Sequence, residues 1–102
     1  MTKEEFKTAL TKEQPPKTDN KIILALWYDS KGNWEKAHES IRGVEDEIAY
    51  WVHAYLHRKQ KDLSNASCWY SRARRKLPDL GLHEEWEEIA DYLFAVLEAN
   101  KS

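Results

Sequence analysis

The chain has 102 residues, of which 41% are apolar and 33% charged, with a formal net charge of −2. A domain of this length can bury a real core, while so balanced a charge argues against general affinity for nucleic acids or membrane surfaces. Five Trp and five Tyr tell against disorder, and three Gly and three Pro are too few for the turns of an all-β fold, which favours helices.

Thr2 and Glu5 have capping-box spacing, with Phe6, Ala9 and Leu10 following at helical intervals, so a short first helix is expected to end near Thr11 within residues 1–14. Pro15 and Pro16 break the chain. A second helix, residues 20–31, has Thr18 or Asp19 available as its cap and is apolar from Ile22 to Tyr28, which implies burial on more than one side. Gly32 suits a left-handed helix end and Asn33 the next cap. A third helix follows over residues 34–44 with Trp34, Ala37, Ile41 and Val44 on one stripe and Gly43 weakening its last turn. Acidic residues 45–47 favour the start of a fourth helix, residues 47–60. It carries Ile48, Trp51, Val52, Tyr55 and Leu56 on one face and Tyr50, His53, Ala54 and His57 on a second stripe. Lys61-Asp62 is a turn, a fifth helix covers 63–76 with Ala66, Trp69, Tyr70 and Ala73 inward, and 77–81 is a linker. The last helix, residues 82–100, repeats Leu82, Trp86, Ile89, Ala90, Leu93, Val96 and Leu97 at intervals of three and four.

The second and third helices echo the fourth and fifth. Tyr28 and His57, Lys31 and Gln60, Asn33 and Asp62, and Ala37 and Ala66 each stand 29 residues apart. The run Ala66-x-x-x-Tyr70-x-x-Ala73-x-x-x-x-Pro78, with Ala54 and Tyr50 on the helix before it, resembles the tetratricopeptide repeat. The first pair matches less well: Ala25, Tyr28, Gly32 and Ala37 fit, but Val44 replaces the later Ala and no Pro follows. The resemblance covers residues 20–78 and implies an all-α, right-handed array of antiparallel helix hairpins. Five to six helices are expected in a single domain over 1–102, with pairs at 20–45 and 47–78 and a capping helix at 82–100. The phrases Ala25-Leu26-Trp27-Tyr28-Asp29 and Trp51 through Lys59, with Asn65-Ala66 and Trp69-Tyr70, are similar to a family of short bacterial tetratricopeptide-like proteins without an assigned activity. That similarity implies a fold and a bacterial origin, and no chemistry.

Cys68 is the lone cysteine, so it has no partner for an intramolecular disulfide or a Cys-based zinc site. The charged start from Met1 to Phe6 does not read as a signal peptide, and no apolar run approaches the ~18 residues of a membrane span. A cytoplasmic location is therefore expected, with no membrane association. From residue 57 to 77 seven Lys/Arg face one acid, Asp62, and from 79 to 98 there are seven acids and no Lys or Arg. Mutual neutralisation is the expected use of this asymmetry, rather than nucleic-acid binding.

Two candidate sites emerge. The repeat frame turns Trp51, Tyr55, Arg58 and Lys59 toward the concave surface, with Trp69 and Arg72 as neighbours, a row suited to an acidic or C-terminal peptide; the plainer expectation for Trp51 and Tyr55 is packing against the preceding helix pair, with the cations left solvated. His53 and His57 lie four apart on one helix, with His38 available from the preceding one, as possible ligand groups. Neutral imidazoles bonded to Tyr70, Asn65 or a carbonyl are the plainer expectation, and two imidazoles alone leave zinc short of ligands, so no metal or other cofactor is expected. Cys68 beside a His is a nucleophile pair only in principle, and no glycine loop or nucleophile elbow is present, so the chain does not read as an enzyme. The expected function is a protein- or peptide-binding helical-repeat module; the alternative is a small-ligand or metal site around His53 and His57.

Overall fold

The first amides of a helix lack intrahelical acceptors, and this chain supplies a side chain for them at nearly every start. The computed structural model describes residues 1–101. These form six helices and no strand: α1 Lys3–Ala9, α2 Lys21–Ser30, α3 Trp34–Ile41, α4 Glu47–Lys59, α5 Leu63–Arg72 and α6 Leu82–Ala99. The Thr2 hydroxyl accepts from the Glu5 amide while the Glu5 carboxylate accepts from the Thr2 amide, the reciprocal pair expected from the sequence. Asn33, Asp46 and Asp62 cap α3, α4 and α5. The cap of α2 is Asn20, one residue beyond the expected candidates, and Thr18 instead accepts from the Asn20 amide.

Helix ends explain where the expected boundaries overshoot. Helix α3 stops at Ile41 rather than 44 because Gly43 adopts φ +81°. Helix α5 stops at Arg72 rather than 76 because Arg74 turns left-handed at φ +60° and the Arg75 amide reaches back to the Tyr70 carbonyl. The 29-residue echo extends to the backbone. Gly32 has φ +74° and Lys61 φ +63°; the Asn33 amide donates to the Tyr28 carbonyl, and the Asp62 amide to that of His57. Lysine at a position that glycine fills in the first hairpin carries a steric cost. Lys61→Gly is expected to raise stability by ~0.5–1 kcal/mol, seen as a higher urea midpoint with an unchanged slope.

Helix α4 is central and packs against α2, α3, α5 and α6. Eight of its residues are buried, including Ile48, Trp51, Val52, Ala54, Tyr55 and Leu56. Ala37 and Ala66, the small residues 29 apart, have no exposed surface, as a close antiparallel crossing requires. Helix α6 buries Trp86, Ile89, Ala90, Leu93 and Phe94, with Val96 and Leu97 only partly covered. Helix α1 is pinned between α2 and α6. Its Phe6 ring lies 6.0 Å from that of Trp86 and 5.3 Å from that of Phe94. The Trp27 indole donates to the Ala9 carbonyl at 2.7 Å, and Lys31 Nζ to that of Leu10 at 2.7 Å. No helix among the described residues is long and apolar enough to cross a membrane.

Candidate functional site

The packing of α3 on α4 brings His38 to the pair His53 and His57. The nearest approach is His38 Nε2 to His53 Nε2, at 2.9 Å. One ring nitrogen from each of the three residues lies within 4.8 Å of the others. Two indoles wall the cluster: Trp34 stacks on His38 at 4.9 Å and 8°, and Trp69 stacks on His53 at 3.7 Å and 10°. Trp34 is itself fixed, its indole donating to the Leu56 carbonyl at 2.7 Å. Arg72 lies over Trp69, 4.7 Å from the ring centroid, so Trp69 and Arg72 belong to the rim of this cluster.

Electrostatics hold the cluster neutral. A 2.9 Å bond between two imidazole nitrogens has one donor and one acceptor, so the pair cannot carry a proton on both facing atoms. Burial, then the neighbouring His38 and His57 and the Arg72 charge, push His53 down to about 3. Burial also lowers His38, helped by His57 and Arg42, and lowers His57, where Asp62 acts in the opposite direction. In metal-free protein the unfolded chain therefore takes up protons at His53 first. Stability is whole above the ordinary histidine range near 6.5 and is lost progressively as the pH falls toward 3. Between pH 7 and pH 5 the loss from His53 is expected to reach up to ~2 kcal/mol. Urea midpoints at the two values should differ for the parent and differ less in His53→Gln, where His38 and His57 still contribute.

The hydrogen-bond partners expected for these histidines are occupied elsewhere. The Tyr70 hydroxyl donates to Glu85 at 2.6 Å, and Asn65 Nδ2 donates to Asp62 at 3.4 Å. His53 is bonded to His38 instead.

The Trp51 row is not a concave surface display. Trp51 is 4% exposed and Tyr55 2%, both inside the core. The Trp51 indole donates to Glu85 Oε2 at 3.0 Å, and the Tyr55 hydroxyl to Asp29 Oδ2 at 2.8 Å. Arg58 Nη1 donates to Glu85 Oε1 at 2.8 Å, and its other terminal nitrogen reaches the Leu80 carbonyl. Lys59 Nζ donates to Asp29 Oδ1 at 2.8 Å. Each member of the row is therefore an internal tie from α4 to α2 or α6. The two buried carboxylates, Asp29 and Glu85, press the Tyr55 and Tyr70 phenols, already raised by burial, further upward and keep them as donors. Neither carboxylate was singled out from the sequence. Glu85 stands four before Ile89 and eight before Leu93, on the inward stripe of α6, and that register was the signal available.

The expected neutralisation of the basic segment by the acidic helix holds at Arg58–Glu85. Elsewhere the cations go to other partners: Arg74 Nε stands 3.8 Å from Glu47, and the Arg75 guanidinium lies 3.4 Å from the centroid of the Trp51 ring. Cys68 is exposed on α5 and supplies no ligand to the histidine group.

No protein-family model, curated protein or solved structure matches the chain.

Proposed function

We propose that the protein is a small tetratricopeptide-like scaffold whose working site is a three-histidine centre for a divalent transition metal, zinc first. The observation that carries this reading is the convergence of His38, His53 and His57, with ligating nitrogens within 4.8 Å of one another. The sequence counted two imidazoles and found zinc short of donors; the third, from α3, meets the minimum of three protein ligands used in zinc sites with one position left over. Zn–N bonds of about 2.0–2.1 Å place tetrahedral donors about 3.3 Å apart, a modest rearrangement of side chains already this close. Imidazole donors also suit nickel and copper, and copper heads the affinity order. Protonation does not compete near neutral pH, because all three groups are pushed toward the neutral form that binds metal. The indole walls limit ring rotation and so favour a fixed donor set.

The tetratricopeptide-like part of the proposal rests on the paired hairpins and their matching backbone turns 29 residues apart. A cytoplasmic setting fits a lone exposed thiol. The peptide-binding reading of the Trp51 row has less support, since its cations and aromatic donors already have internal partners.

The test is metal uptake. Purified apoprotein should bind one zinc per chain in a calorimetric titration and gain ~2.7 kcal/mol of stability at a free zinc concentration about 100 times the dissociation constant. His38→Ala, His53→Ala and His57→Ala should each weaken uptake while circular dichroism stays helical. Apoprotein that takes up no zinc, nickel or copper at micromolar concentration overturns the proposal, as does uptake indifferent to all three substitutions.

A further inference from the structure

We infer that this centre, on the reading just given, is of the open kind and takes one small anion as an exchangeable ligand in place of water. The donor count is the first ground. The only cluster of three or more potential metal ligands among the described residues consists of His38, His53 and His57 alone, with no carboxylate or thiolate joining them. Structural zinc sites close with four protein donors, whereas three leave a position for an exchangeable ligand.

Charge is the second ground. Three neutral imidazoles offset none of a dication's charge, so the remaining position favours an anionic donor. The cations nearest the cluster add to this field: Arg72 sits over Trp69 on the His53 side, and Arg42 acts on His38 while standing 3.9 Å from Glu39. Asp62 near His57 is already engaged as the cap of α5, accepting from the Asn65 amide.

Access is the third ground. His53 is buried, but His38 and His57 are partly exposed. A cleft of about 390 Å³ opens beside His57, lined by Trp34, Glu35, Gln60 and Asp62. That space admits a small ligand.

Cobalt(II) is the probe, because its visible absorption reports its ligands. Apoprotein loaded with one equivalent of cobalt should show a spectrum that shifts saturably with sodium thiocyanate. Sodium perchlorate, whose anion coordinates metals weakly, should produce no such shift at matched ionic strength, and zinc should abolish the signal by displacement. Stoichiometric cobalt whose spectrum ignores thiocyanate means a closed site and overturns this inference while leaving the metal-centre reading intact. An equal response to perchlorate means a general salt effect and likewise overturns this inference. Failure of cobalt, zinc, nickel and copper all to bind overturns both readings together.

Discussion

Glu85→Ala is expected to destabilise the fold by ~3–5 kcal/mol, the cost of stranding one member of a buried ion pair. The Glu85 carboxylate has no exposed surface and serves three donors on two other helices: Trp51 and Arg58 of α4 and Tyr70 of α5. Its place in the first turn of α6 adds the favourable field of a helix N-terminus. Removing it leaves the largely covered Arg58 cation and two buried hydrogen-bond donors without their acceptor. Glu85→Gln keeps the shape and should cost less than Glu85→Ala. The pair Arg58→Met with Glu85→Leu should cost less than the two single changes added together, because both charges leave the interior at once. Urea denaturation of these variants measures this. A Glu85→Ala protein within about 1 kcal/mol of the parent, the ordinary cost of a point change, would show that the tie is incidental.

Phe6→Ala should cost a similar ~3–5 kcal/mol, through lost burial and the cavity left against Trp86 and Phe94. Helix α1 has seven residues, too few to hold itself in water, so its order depends on that ring and on the bonds that Ala9 and Leu10 accept. The second consequence is therefore local: α1 leaves its seat and Trp27 loses the carbonyl its indole now bonds. Indole emission should move to longer wavelength in the variant before any denaturant is added. With total stabilities of ~5–15 kcal/mol for single domains, this one change takes a large share of what is available. A variant with the parent's midpoint and emission would mean that α1 is not part of the cooperative core.

What could be read from the sequence divides by the range of the interaction. Thr2 with Glu5, and Asn33, were legible because a cap and the amide it satisfies lie within three residues. The stop at Arg74 was not, since nothing in an arginine announces a left-handed φ. The all-helical architecture follows from periodicity, which each segment carries on its own. The histidine pair on α4 was visible as a spacing of four, but the 2.9 Å approach of His38 depends on how α3 packs, 15 residues away. Whether the Trp51 row faces solvent or the core was left open for the same reason. A stripe of Trp, Tyr, Arg and Lys looks alike whether it faces solvent or a buried carboxylate, and Asp29 and Glu85 lie 26 to 34 residues from the four members of the row that they bind. Only the tertiary fold says which face is inside.

The proposed donor set straddles elements of unequal staying power. His53 and His57 belong to α4, which is enclosed by four neighbours, whereas His38 rides on the eight-residue α3, whose buried residues are Ala37 and Ile41. Amide hydrogens in the middle of α4 should exchange with solvent deuterium only through global opening, and those of α3 through cheaper local excursions. A captured ion would accordingly escape by the swinging away of one imidazole with its helix, not by melting of the domain. Its residence time should therefore follow the exchange rate of α3 amides across temperatures, and be insensitive to changes that affect only the overall unfolding rate.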